Sequence, residues 1–310
     1  MKSFIRLGTR GSTLALYQAE LVKAKILEDF PLLTVEVLKI KTSGDMIRRG
    51  GARLFETKRI FTREIEEALL NSEIDLAVHS AKDMAVPLPV GLKIGAVLER
   101  EDPRDCLITK EKKKISELAL GARIGTSSLR RKMQLLRMNP ELIVEEVHGN
   151  VESRLRKVEE GDYDGVVLAA AGIKRLGLVN KISEFFSEDI FFPAPGQGII
   201  AIESRESDHE TDEILKVINH AATFKRLECE RAFSKRLEGG CQLPCGITTA
   251  IEGDWIRAAG ILFALEEPKW AESQFEARLE DVVGAGVKLA ELLLASGGQE
   301  ILEAIRKERK

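Results

Sequence analysis

Along the first hundred residues, apolar positions recur with a period near two, then near 3.6, then near two again. Phe4-Ile5-Arg6-Leu7 predicts a strand. Gly8-Thr9-Arg10-Gly11-Ser12 then leads into a helix with apolar positions at Leu14, Tyr17, Leu21 and Ala24, for which Ser12 is a natural N-cap. Leu33 to Ile40 alternates as a strand, and Arg59 to Asn71 predicts a helix with Phe61, Ile65, Ala68 and Leu69 inward. Leu76-Ala77-Val78 is a short apolar run of the kind found in buried parallel strands, and Leu92 to Leu98 predicts another strand. This β-α-β-α-β order predicts a doubly wound sheet.

At Glu99-Arg100-Glu101-Asp102-Pro103-Arg104-Asp105 the pattern breaks into a charged, proline-containing link, and then it restarts. Arg123-Ile124-Gly125-Thr126-Ser127-Ser128 echoes the earlier junction Arg6-Leu7-Gly8-Thr9-Arg10-Gly11-Ser12. Helix 128–138, strand 142–147, helix 150–160 and strand 165–169 complete a second lobe. Phe191 to Gly198 reads as a return crossing, and Gly198 to Glu203 as a strand able to rejoin the first sheet. Two crossings between lobes give a hinged cleft, the arrangement of periplasmic-binding-protein-like folds. From about Ala221 the texture changes to a helix, a loop at 238–246, two alternating strands to Phe263 and a helix near 282–296. The expected fold is therefore α/β: two doubly wound lobes with a hinge, plus a small α+β C-terminal domain. Domain 1 is expected at 1–98 plus 199–216, domain 2 at 104–192 and domain 3 at 221–310.

At 310 residues the chain exceeds one comfortable core, which agrees with several domains. Charged residues make up 31% of it, yet the formal net charge is −3, so the basic excess of a general nucleic-acid binder is missing. No apolar run approaches the ~20 residues of a membrane span, and the first residues lack the apolar stretch of a signal peptide. The four cysteines, Cys106, Cys229, Cys241 and Cys245, are too few and scattered for a disulfide framework. A cytoplasmic protein is expected.

Candidate chemistry clusters at strand ends, where ligands bind in open α/β sheets. Gly8 to Ser12 and Gly125 to Ser128 each bring backbone N–H groups and hydroxyls to a helix amino terminus, a setting that suits anions. Arg130 and Arg131 sit in the first turn of the second such helix, where cations oppose the helix dipole at roughly 0.3–1 kcal/mol each. A bound anion would relieve that. With Arg10, Arg154 and Arg175 also near strand ends, the pattern predicts bidentate recognition of a ligand with several carboxylates. After Leu76-Ala77-Val78 come His79, Ser80, Lys82 and Asp83; Asp83 is either a surface ion pair with Lys82 or a proton-handling carboxylate. Gly239-Gly240-Cys241 lets a backbone approach a ligand closely and leaves a thiol accessible. The same loop is also compatible with a core cysteine or a Cys241–Cys245 disulfide. A metal site is not expected, because the Cys-x3-Cys spacing has no matching pair of ligands.

Val78-His79-Ser80-Ala81-Lys82-Asp83, Gly125-Thr126-Ser127-Ser128-Leu129-Arg130-Arg131, Pro195-Gly196-Gln197-Gly198 and Leu237-Glu238-Gly239-Gly240-Cys241-Gln242-Leu243-Pro244 together resemble the porphobilinogen deaminase (hydroxymethylbilane synthase) family over nearly the whole chain, weakening after about residue 265. The resemblance implies a monomeric three-domain transferase of tetrapyrrole biosynthesis with a cleft between its first two domains. It implies a dipyrromethane cofactor in thioether linkage to Cys241, four porphobilinogen units added head to tail with loss of ammonia, and hydroxymethylbilane released by hydrolysis. Asp83 matches the family's catalytic aspartate. Arg10, Ser12, Lys82, Thr126, Ser128, Arg130, Arg131, Arg154, Arg175 and Gln197 match positions that contact cofactor or substrate, and Phe61 matches the aromatic beside the active site. A transient hand-over of product to uroporphyrinogen III synthase is also implied, with neither nucleic acid nor membrane as partner.

The chain departs from the family at several places. His148 stands where the family usually has Arg, at a position tied to cofactor assembly. A histidine is cationic only near or below about pH 6.5 unless a carboxylate stabilises it, so pH-dependent loading is expected. Ala85 replaces a frequent Pro, Thr57-Lys58-Arg59-Ile60-Phe61 replaces a glycine-rich loop segment, and Cys245 replaces an aliphatic residue. A competing reading is a non-catalytic, two-lobed carrier of polycarboxylates, which would give Asp83 and Cys241 no joint task. A thiol redox or metal protein using Cys241 and Cys245 lacks flanking ligands.

Overall fold

The computed structural model describes residues 2–43, 62–238, 243–265 and 268–308. Contacts divide the chain into two units, Met1–Glu101 with Ile199–Lys225, and Asp102–Gly198 with Arg226–Lys310. The first segment carries β1 (Phe4–Arg10), α1 (Thr13–Asp29), β2 (Thr34–Ile40), α2 (Arg63–Leu70), β3 (Leu76–Ser80) and β4 (Leu92–Val97). The second carries β5 (Asp105–Thr109), β6 (Arg123–Gly125), α3 (Leu129–Met138), β7 (Ile143–Glu145), α4 (Val151–Glu160), β8 (Gly165–Ala169), α5 (Ala170–Arg175) and β9 (Glu184–Phe185). Then come β10 (Ile200–Arg205), α6 (His209–Ile218), α7 (Ala221–Arg236), β11 (Cys245–Glu252), β12 (Trp255–Phe263), β13 (Trp270–Arg278), α8 (Val282–Leu293) and α9 (Gln299–Glu308).

The first unit holds a sheet of order β2-β1-β3-β10-β4, parallel except for β10, which runs antiparallel to both neighbours. Ile5, Leu7, Leu76, Val78, Ile200 and Ile202 form one buried face under α1 and α6. Burying each such side chain contributes roughly 1.5–3 kcal/mol. The face that α1 turns inward is Gln18, Ala19, Val22 and Ile26, whereas Tyr17, Leu21 and Ala24 are exposed and Leu14 is half-buried. The apolar positions marked in the sequence are therefore not the buried ones. The helix is apolar on two sides, and its buried polar residue is satisfied: Gln18 Nε2 donates to Ser80 Oγ at 3.0 Å.

The second unit repeats this topology in the order β7-β6-β8-β5-β9, with β5 antiparallel to β8. β5 corresponds to β10: each follows a crossing of the chain into its unit and is inserted antiparallel beside the central parallel strand. The junctions that echo each other in sequence, β1 into α1 and β6 into α3, occupy the same place in the two sheets. Asp105, expected to end a charged link, instead begins β5, and every residue of that strand is buried. The same unit carries the antiparallel sheet β11-β12-β13. Phe233 of α7, Ile247, Ile256 and Leu262 of the sheet and Leu289 and Leu293 of α8 pack on one of its faces. On the other, Ile261 and Phe263 meet Phe192 and Met133. Gly246 makes that contact possible, because a Cβ there would lie 2.5 Å from the Phe192 Cβ and 2.8 Å from its carbonyl oxygen.

Candidate active site

In the first unit, the candidate groups stand at the carboxyl ends of neighbouring parallel strands, β1 and β3, paired through Leu7–Leu76 and Gly8–Ala77. Arg10 closes β1, and Ser12 caps α1 by accepting from the Ala15 N–H at 3.3 Å. The Ser80 hydroxyl is held by Gln18, a residue the sequence reading missed because it sits on the polar side of an expected amphipathic helix. β3 then tightens into a single 3₁₀ turn, Ala81–Asp83, with the Ala81 N–H bonded to the Ile199 carbonyl at 3.0 Å. That turn leaves Lys82 half-buried and Asp83 exposed. An exposed carboxylate at a strand end can reach a ligand and exchange protons with it.

In the second unit the helix-terminus site is built more tightly. Ser128 caps α3, its hydroxyl accepting from the Arg131 N–H at 3.4 Å, and the Ser128 N–H donates to the Thr126 hydroxyl at 3.2 Å. Ser127 Oγ donates to the Val147 carbonyl at 2.6 Å, tying this junction to the one that carries His148. His148 itself is exposed, with Nε2 at 3.3 Å from a Glu146 carboxylate oxygen. Arg154, one turn into α4, donates from Nε to the Gly149 carbonyl at 3.0 Å, and Arg175 donates from Nη2 to the Gly198 carbonyl at 2.7 Å.

Arg130 and Arg131 are 5% and 6% exposed, so the two cations in this first turn are inside the protein. The anion they meet is the chain's own Asp105, fully buried. Arg130 Nη1 donates to Asp105 Oδ2 at 2.7 Å, and Arg131 Nη2 lies 2.7 Å from Oδ1. Arg130 also donates to the Phe192 carbonyl, and Arg131 to the Val167 carbonyl at 3.0 Å. Gln197, fully buried, donates from Nε2 to Asp105 Oδ1 at 3.0 Å and to the Pro103 carbonyl at 2.7 Å. Burial pushes the Arg130 guanidinium below its ordinary range, with Asp105 opposing. Two buried guanidiniums thus share one carboxylate among the described residues, at the positive end of a helix. Within these contacts two cations meet one anion. Arg130, Arg131 and Gln197 are brought together; Thr126, Ser128 and Arg175 border them through the same helix start and the 197–198 segment. Phe61 and Cys241 lie outside the described residues.

Two doubly wound lobes and a small α+β domain make this an α/β protein whose strand ends carry cations and hydroxyls. Residues 5–213 match the family model for the porphobilinogen deaminase dipyromethane cofactor binding domain, and residues 224–295 match the porphobilinogen deaminase C-terminal domain. The protein named porphobilinogen deaminase from Carboxydothermus hydrogenoformans is 44% identical over 308 residues, covering 99% of each chain. Its namesake from Trichlorobacter lovleyi is 43% identical over 301 residues, covering 97% of this chain and 96% of the other. Among solved structures, the methionine binding protein MetQ aligns with a TM-score of 0.45 at 12% identity, over 74% of this chain and 95% of that one. The chain belongs to the porphobilinogen deaminase family, transferases whose cofactor is a dipyrromethane. No helix among the described residues is long and apolar enough to cross a membrane.

Proposed function

We propose that this enzyme joins four porphobilinogens head to tail, with loss of one ammonia at each addition, and that the Arg130–Arg131 pair holds carboxylates of the pyrrole chain. The observation that carries the reading is the buried charge excess: two guanidiniums, one carboxylate, a helix amino terminus and the Thr126 and Ser128 hydroxyls around them. Acetate and propionate side chains fit that set, because guanidiniums, a helix amino terminus and hydroxyl groups all favour a carboxylate. Arg10, Ser12, Lys82, Arg154, Arg175 and Gln197 extend the same recognition, and His148 and Phe61 are assigned to cofactor assembly and to the aromatic wall. When bound through Cys241, the dipyrromethane supplies the nucleophilic pyrrole end from which the product grows. Asp83 gives a proton to the departing amine and then faces the cationic pyrrole nitrogen as a carboxylate, which lowers the charge cost of each condensation.

The carrier reading leaves Asp83 without a task. Asp83→Asn decides between them: the variant keeps its covalent cofactor and loses nearly all turnover, whereas near-normal turnover removes Asp83 from the chemistry. The enzyme works as a cytoplasmic monomer and passes its product to uroporphyrinogen III synthase. Sedimentation velocity with and without that synthase tests the assembly state.

A further inference from the structure

Glu230 of α7 is fully buried and takes no part in the chemistry above. Its Oε2 accepts from the Gly196 N–H at 2.7 Å and its Oε1 from the Thr249 hydroxyl at 2.6 Å. Thr249 Oγ1 in turn accepts from Arg226 Nε at 3.1 Å, so the carboxylate is braced between α7 and β11. The Gly196 end is the informative one. Gly196 and Gly198 have φ of +75° and +89°, conformations glycine reaches without cost, and they flank Gln197 in a turn closed by the Gln197 N–H on the Ala194 carbonyl at 2.9 Å. Such a turn has little stiffness of its own. Gln197 must nevertheless place one amide nitrogen 2.7 Å from the Pro103 carbonyl and 3.0 Å from Asp105 Oδ1, the oxygen that also accepts from Arg131 Nε at 2.9 Å. Hydrogen bonds and one peptide link, Gly196–Gln197, therefore connect Glu230 of α7 through Asp105 to the Arg131 guanidinium. α7 is also the helix that leads to Cys241: it ends at Arg236, and the buried Leu237 precedes the attachment cysteine by four residues.

We propose that Glu230 is a positioning residue for cofactor binding: it fixes the Gly196–Gln197 turn, and through Asp105 it sets the Arg131 guanidinium in register with the helix from which the attachment loop departs. The inference rests on the reading of Arg130 and Arg131 as carboxylate ligands. It matters to loading because a misplacement of about 1 Å in a positioning group can cost on the order of a hundredfold in rate.

The test uses the full-length chain, purified as expressed, with covalent cofactor occupancy read by intact mass and folding read by circular dichroism and melting. Glu230→Asp keeps the charge but draws the acceptor back by one methylene, and Glu230→Leu removes it; both lower occupancy by about tenfold or more. Glu230→Gln still offers Oε1 to the Gly196 N–H and loads close to the parent. Thr249→Val removes the other brace and also loads close to the parent. Should Glu230→Leu fail to fold, Glu230→Asp alone decides: full occupancy in a folded Glu230→Asp chain overturns the proposal. Equal loss of occupancy in Thr249→Val also overturns it, since general packing would then account for the effect. Arg131→Gln separates the two levels. If it loads fully, the carboxylate reading itself fails; if it loses occupancy while Glu230→Asp keeps it, only the positioning role fails.

Discussion

Asp105→Asn keeps the shape of the side chain at the centre of the cationic cluster and removes its charge. In the parent, Arg130 Nη1, Arg131 Nε and Gln197 Nε2 all donate to this carboxylate within 3.0 Å, and Asp105 has no exposure. Asparagine offers one acceptor oxygen and turns an NH₂ group toward donors. Two guanidiniums more than nine-tenths buried then lack the carboxylate they share. Breaking a buried pair in this way costs about 3–5 kcal/mol. That is a fifth or more of the ~5–15 kcal/mol that holds a typical domain together. The loaded enzyme should lose less, because ligand carboxylates take up part of the orphaned charge. Urea unfolding followed by far-ultraviolet circular dichroism measures both, using the Cys241→Ser background as the unloaded form. The expected penalty is about 3–5 kcal/mol unloaded and at least ~1 kcal/mol smaller when loaded. A penalty below ~1 kcal/mol in the unloaded form, or an equal one in both, would refute the charge argument.

Three further outcomes follow from the geometry. Burial alone would raise the Asp75 carboxyl, but hydrogen bonds from Arg6 and Lys2 outweigh it and bring the group to about 2. Its stabilisation is complete above the unfolded carboxyl's value near 3.9 and is lost as pH falls toward 2, so Asp75→Asn should be less stable by ~1–2 kcal/mol at pH 7, after discounting for partly exposed partners, with the gap closing between about pH 4 and pH 2 in denaturant titrations. Gly246→Ala drives a methyl into Phe192 and should cost roughly 1–3 kcal/mol by melting, with Gly253→Ala, at an open turn, as a reference for local backbone strain alone. His148→Arg should load cofactor faster than the parent at pH 8–9 and similarly at pH 6; unchanged loading across pH 6–9 would remove His148 from cofactor assembly.

Much of the lobe architecture can be read from the chain because strand-to-helix junctions carry local chemistry. The apolar run, the glycine and the capping serine around Gly8–Ser12 and Gly125–Ser128 mark β1–α1 and β6–α3 without tertiary information. The inserted strand β5 is not legible in this way. Its first residue is an aspartate following Asp102-Pro103-Arg104, and a charged residue there reads as a link until Arg130 and Arg131, far along the chain, are known to neutralise it. The same cause limits the reading of the site. Two arginines in a first helical turn do meet an anion, and it is the chain's own Asp105. β13 is hard to read because its inner side is thin: Ala271, Ser273, Phe275 and Ala277 alternate with exposed Trp270, Glu272, Gln274, Glu276 and Arg278. The inward face of α1 is not legible from periodicity because a buried glutamine, paired with Ser80, stands on it where an apolar residue would be looked for.

Intact-mass spectrometry of the purified enzyme beside its Cys241→Ser variant tests the central claim most directly. A cysteine-linked mass of two pyrrole units in the parent, absent from Cys241→Ser and sharply reduced in Arg131→Gln, is the result predicted. An unmodified parent chain, or an adduct that persists in Cys241→Ser, would contradict it.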